Sequence, residues 1–320
     1  MKLCLSSINA LSVLVILMKA RCTMNVRRTG LTVFVIAFLS SQLTWPARDQ
    51  AADTPVDSTR ESETAKRSRE ELQVCLDHVA PMKLQHAETG TVIERVPNPV
   101  LRFGAPMFGN HHGALWVWGQ RGRPMAVLEM CQQGNDGFWH HGCHCTTDAP
   151  IKLTLPTGQV WTPKSNSLTF KPLPGAPVPA ETPAARMRQM KAFVQKVSAH
   201  ELWTWPTGDG SRHELRLLPT PVHRYDDDEQ QLIDGALFII AQGTNPEATL
   251  FLEAVQRVNE PKPIWQFAVG QSSLAEIVVT YADEEIHHGQ SVNDAEARIG
   301  TSTYWRLLTK IEDPKEPGAK

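Results

Sequence analysis

The densest group of reactive side chains in this sequence is Trp139-His140-His141-Gly142-Cys143-His144-Cys145. Zinc and copper take imidazole and thiolate ligands, so the composition points to a metal site, and the closely spaced thiols point equally to redox use. Read as a strand, the segment sends His141, Cys143 and Cys145 to one face and His140 and His144 to the other. A hairpin turning at Asn135-Asp136 would set His140 opposite Cys131 and His141 opposite Met130. The face shared by His141, Cys143 and Cys145 is then that of Ala126, Leu128 and Met130, an apolar set that reads as core. A free cysteine often packs there as a small hydrophobe. The spacing matches no standard zinc signature. The candidate metal ligands are His140, His141, Cys143, His144 and Cys145, with Cys131 in reach and zinc or copper as the candidate ion. No other cofactor is expected.

Further residues invite weaker readings. Trp203 and Trp205 share a strand face and would suit stacking on a sugar, or equally packing beneath a helix. Asp226-Asp227-Asp228-Glu229 lacks the glycine and ligand alternation of a calcium loop and reads as solvated. His111-His112 and His287-His288 read as loop histidines. His200-Glu201 and His213-Glu214 each begin an H-E-x-x-H pattern without completing it. There is no G-x-S-x-G elbow and no phosphate-binding glycine loop. No catalytic residue is assigned.

The elements positioning these residues come in two sets. Pro97 to Pro124 aligns without a gap on Pro219 to Pro246, an offset of 122, with nine of 28 positions identical. Average composition predicts roughly two. After a four-residue insertion the match resumes at an offset of 126, where Trp139, Ala149, Ile151 and Thr154 meet Trp265, Ala275, Ile277 and Thr280. The insertion falls in a hairpin loop, where added length costs least.

An amphipathic helix precedes each copy. Leu72, Cys75, Leu76 and Val79 form the apolar stripe of the first, with a capping box at Ser58 to Glu61. Met190, Phe193, Val194 and Val197 form that of the second, with Thr182 as N-cap and Pro183 at the first helical position. In the first copy strands are expected near 92–103, 113–119, 125–131, 138–145, 151–155 and 168–173. The expected fold is α+β: a tandem duplication of a unit in which one helix packs on a curled antiparallel sheet. The units span 63–173 and 183–312. Residues 174–182 form a proline-rich linker, 53–62 a disordered linker and 313–320 a disordered tail. Shared arginines Arg102 and Arg224 suit salt bridges better than a paired anion site.

Residues 1–52 read as a leader. A basic Asn25-Val26-Arg27-Arg28 precedes the apolar 31–43 run and small residues follow, the order of a secretory signal peptide, with translation expected from Met24. The core is short for a membrane span, so none is expected in the mature chain. Export makes the chain periplasmic, envelope-associated or secreted, where Cys75, Cys131, Cys143 and Cys145 could form disulfides in any of three pairings. The formal net charge of −2 offers no basic surface for nucleic acid.

The runs Arg216 to Tyr225, Asp234 to Phe238 and Gly243 to Glu247, with Trp116-Val117-Trp118 and Arg121 to Pro124, resemble a family of exported proteins from planctomycete bacteria. The resemblance covers most of residues 90–280 and implies no activity, cofactor or site residue. The Cys-rich segment at 143–145 departs from the family's ordinary polar and aromatic strand, which argues against a metal site shared across that family. The expectation is an exported, non-enzymatic binding or structural module of the cell envelope, its partner an envelope component or a glycan. The alternatives are a metal-dependent or redox enzyme built on the 140–145 cluster, and a glycan-binding protein.

Overall fold

The computed structural model describes residues 63–105, 110–133, 138–203, 210–258 and 260–310. The leader, the Ser58–Glu61 box and the segments 53–62 and 313–320 lie outside them. No helix among the described residues is long and apolar enough to cross a membrane. The protein is α+β and mostly strand, with a curled antiparallel half-barrel sheet.

In the first half, α1 (Glu63–Val79) precedes β1 (Lys83–His86), β2 (Val92–Ile93), β3 (Leu101–Ala105), β4 (Asn110–Trp118), β5 (Ala126–Gln133), β6 (Phe138–Cys145), β7 (Ile151–Thr154), β8 (Val160–Trp161) and β9 (Lys171–Pro172). In the second, α2 (Pro183–Val194) precedes β10 (Val197–Trp203), β11 (Ser211–Leu217), β12 (His223–Asp227), β13 (Leu232–Gln242), β14 (Asn245–Val255), β15 (Ile264–Gln271), β16 (Glu276–Tyr281), β17 (Glu284–Gly289), the short α3 (Asp294–Ala297) and β18 (Tyr304–Lys310). The expected strand 92–103 is broken around Pro97 and Pro99, which cannot donate to a ladder. Thr182 caps α2 by accepting from Ala185 N. Val197, placed on the helix stripe from sequence, already belongs to β10.

Strand pairings recur at the two sequence offsets. Phe103 pairs with Gly113, and Tyr225 with Gly235. Cys131 pairs with His140, and Glu253 with Gln266. The bridge Arg95 to Trp118 recurs as Leu217 to Ile240. Each half ties its helix down at matching positions. Arg102 donates to Ser68 on α1, and His112 pairs with Glu71 at 3.0 Å. Arg224 donates to Pro183 O on α2, and Asp234 takes Arg186 at 2.7 Å and Arg224 at 2.5 Å. Both arginines are thus committed to internal bonds, not to a paired anion site.

The final strands are exchanged, which the unit boundaries at 173 and 183 do not anticipate. β9 pairs with β15 of the second half, and β18 pairs along β6 of the first. The 174–182 linker is pinned on the way, with Arg186 donating to Ala180 O and Glu181 O.

Three large apolar clusters form among the described residues, beside a small one of Leu274, Ala297 and Tyr304. Trp116, Trp118, Leu128 and Met130 pack with Cys75 and Val79 of α1. Phe238, Leu250 and Val279 pack with Met190 and Phe193 of α2, where burying each large side chain contributes about 1.5–3 kcal/mol. The third lies between the halves: Leu115, Val117 and Val127 meet Leu237, Ile239, Phe251 and Ala268. Of the three sheets, the five-stranded one that holds β3–β6 and the nine-stranded one that holds β13–β15 therefore pack back to back, each with its helix outside. This explains the unbroken apolar runs 114–118 and 236–241, whose residues are buried whichever face they take.

Phe103 and Tyr225 lie flat over Gly113 and Gly235, where a Cβ would collide with either ring. Gly235→Ala is expected to destabilise the fold by about 1–3 kcal/mol through overpacking. A urea-unfolding midpoint equal to that of the parent chain would contradict this contact.

Candidate functional site

The register of the β5–β6 hairpin builds one wall of the site. Cys131 lies opposite His140 and Met130 opposite His141, as strand alternation predicts. Glu129, Cys131 and His140 therefore face the seam between the halves. β18 extends this wall, with Arg306 opposite Gly142 and Tyr304 opposite His144.

The opposite wall comes from a β-bulge. Ala241 pairs with Pro246 but Ile240 with Ala248, leaving Glu247 as the extra residue on β14. Bulges re-aim a side chain in this way. Glu247 accepts from Asn245 Nδ2 at 2.7 Å, and its carbonyl accepts from Ser272 N at 2.9 Å. Trp203 and His213, from β10 and β11, complete the rim. The cavity between these walls opens to solvent and measures about 460 Å³.

Buried carboxyl groups dominate its electrostatics. Burial lifts Glu129 to about 8 against the pull of Arg306. Glu247 is raised far above the carboxylate range by burial and then by Glu201 nearby. Glu201, with no exposed surface, is lifted to about 7, and both of its oxygens lack a hydrogen-bond partner. Arg306 bonds to Asp294, which also takes Arg298 at 2.8 Å.

Cys131 Sγ stands 3.8 Å from His140 Nδ1. Burial pushes the thiol well up and holds the imidazole at about 3, so both are neutral. The pair is therefore not a thiolate–imidazolium nucleophile, which requires the opposite shifts.

The five predicted metal ligands do not form one set. His141, Cys143 and Cys145 point to the α1 side, where Cys143 and Cys145 join the apolar core. Burial raises both thiols, as it does that of Cys75. His144 faces the seam with its ring over Gly270, away from the cavity lining. Of the five, His140 alone reaches the candidate site. Cys75, Cys131, Cys143 and Cys145 are all buried free thiols, and no disulfide joins them.

Trp203 lines the cavity, while Trp205 lies outside the described residues. His288 pairs with Glu276 at 2.8 Å, and His112 is occupied at α1. Asp227 caps a short turn of helix and binds no cavity. The two incomplete H-E pairs do meet, since Glu201 lies opposite His213 and His200 opposite Glu214.

Sequence reasoning missed Glu129, Glu247, Tyr304 and Arg306, and met Glu201 only in an incomplete H-E-x-x-H pattern. A signal existed for two of them: Glu129 is the one acid of β5, and Glu247 is one of two acids in the largely apolar β14. A charge in such a run either breaks the strand or marks a buried site. In comparisons with known proteins, no family model and no curated protein matches this chain.

Proposed function

We propose that this protein is an exported binding module of the cell envelope, built by duplication of a helix-on-curled-sheet unit, whose ligand occupies the cavity at the seam. The recurrence of strand register at offsets of 122 and 126 supports the duplication. The leader supports export, and the resemblance to planctomycete exported proteins agrees with it.

One observation carries the binding reading. Polar groups converge on one cavity, and there Ser272 Oγ is buried without a partner, while Glu201 behind it leaves two oxygens unpaired. Such groups are costly unless something bonds to them. The lining combines an indole (Trp203), amides (Gln242, Asn245), hydroxyls (Ser272, Ser273) and the Glu247 carboxyl. An aromatic platform beside mixed donors and acceptors suits a small polyhydroxylated ligand, of the sugar class.

Thermal-shift screening against monosaccharides and short envelope oligosaccharides tests this. At least one should raise the melting temperature of the parent chain, with the shift lost in Trp203→Ala and in Glu247→Gln. No shift across the panel, or shifts that survive both substitutions, would remove the sugar assignment.

A further inference from the structure

We propose that Glu129, Cys131 and His140 bind one divalent cation of the zinc class on the inner wall of the seam cavity. The site shares the cavity with the ligand proposed above but stands independently of it.

Geometry comes first. One ligand atom from each residue lies within 4.8 Å of the other two, and the sulfur–nitrogen separation is 3.8 Å. Ligands on a tetrahedral zinc stand about 3.3–3.7 Å apart. The required closure is at most about 1.5 Å for the widest pair, within the reach of side-chain rotations. All three residues sit on paired strands rather than loops, in a register without a bulge between Ala126 and Cys145. Such a scaffold holds a ligand set more precisely than a loop does.

Charge comes second. A carboxylate and a thiolate with one neutral imidazole carry two negative charges, which a divalent ion cancels. Glu129 and Cys131 are 4% and 2% exposed, so neutrality matters here. The mixed oxygen, sulfur and nitrogen set favours zinc over magnesium or calcium, which take oxygen ligands. Three protein ligands leave a fourth position, and the cavity lies against all three. His140 turns Nδ1 to Cys131, and its Nε2 is a buried ring nitrogen with no protein partner.

The second half of the chain supplies the third argument. The pairing Cys131–His140 recurs there as Glu253–Gln266. That buried carboxylate is met by a cation from the protein, Arg123, through two 2.7 Å bonds. The position matching Arg123 at the same offset is Asn245, which lines the cavity. One end of the seam is thus closed by a guanidinium. At the other end a neutral amide stands in its place, and the nearest guanidinium, Arg306, acts on Glu129 while bonded to Asp294. A buried acid, thiol and imidazole thus line the cavity at the end that lacks the direct two-bond guanidinium pair of the counterpart site.

The test uses the full chain without a polyhistidine tag, stripped by chelator and reloaded with zinc or cobalt. Elemental analysis after gel filtration should find one equivalent of zinc. The cobalt form should show a thiolate-to-cobalt charge-transfer band. Cys131→Ser should abolish that band, Cys145→Ser should leave it, and Glu129→Gln should weaken metal binding about tenfold or more. A parent chain that retains no metal overturns the proposal, as does a band that persists in Cys131→Ser. If Cys131→Ser does not fold, the parent stoichiometry and the near-isosteric Glu129→Gln decide, and equal affinity in Glu129→Gln counts against the site. Metal loading that survives while every sugar fails breaks only the preceding reading.

Discussion

Arg123→Met is expected to remove about 3–5 kcal/mol of folding stability, the usual result of stranding one member of a buried ion pair. Glu253 has no exposed surface, and both of its oxygens are held by the Arg123 guanidinium. Tyr225 Oη at 3.0 Å and Gln266 Nε2 at 2.8 Å complete its bonds. Those two neutral donors remain in the variant but cannot balance a full charge. Arg123 also lies over the Phe170 ring, 4.0 Å from its centroid, so the substitution forfeits a cation–π contact. Replacing Glu253 by Gln as well should recover much of the loss, because the stranded charge is then gone. Urea unfolding of the parent, the single variant and the double variant measures this. A loss under about 1 kcal/mol in the single variant would mean that the pair contributes no more than a surface salt bridge. Arg123 belongs to the first half and Glu253 to the second, so the experiment also reports how firmly the halves are joined.

Stability should be greatest in mildly acidic solution and fall on both sides. Burial raises Glu201 from 4.5 to about 7, and raises Glu247 further with Glu201 beside it. The folded state then holds protons that the unfolded chain has released. Stability from these carboxyls is complete below about pH 4.5 and is lost as pH rises through the folded values. His144 is lowered from 6.5 to about 3 and His287 to about 4, both by burial. Their contribution is complete above about pH 6.5 and is lost on acidification, because the unfolded imidazoles take up protons first. Within its window each group changes stability by about 1.4 kcal/mol per pH unit. Between about pH 4.5 and 6.5 the two sets oppose each other. Above that range the carboxyls act alone, and below it the imidazoles do. Melting temperatures from pH 3 to 9 should form a plateau with two falling limbs, and Glu201→Gln should flatten the alkaline limb. A steady rise from pH 5 to 9 would be incompatible with buried, protonated carboxyls.

Much of the local structure was legible from residue types. Thr182 and Pro183 mark the start of α2 because a cap and a fixed φ act within one helical turn. Alternation along 138–145 placed His140 opposite Cys131 and sent His141, Cys143 and Cys145 to the apolar face. The offsets of 122 and 126 are carried by identities within the sequence itself. These features depend on rules that operate over a few residues, or on similarity within the chain itself.

What covers a strand face is a different kind of fact. Whether His140 and Glu129 look into solvent or into a dry seam depends on a second sheet more than a hundred residues away in sequence. Nothing local states that the two sheets pack back to back, or that β18 crosses to lie beside β6 and brings Arg306 to Glu129. The histidine and cysteine segment therefore announced reactive chemistry from its composition, but tertiary packing divided it. Three of its members went to the α1 side, two of them into the core, one to the seam over Gly270, and one to the cavity with Glu129 and Cys131. Residue types set the available chemistry and strand periodicity set the facing. Burial, which turns a carboxyl, a thiol and an imidazole into a candidate site, was decided only when the two halves met.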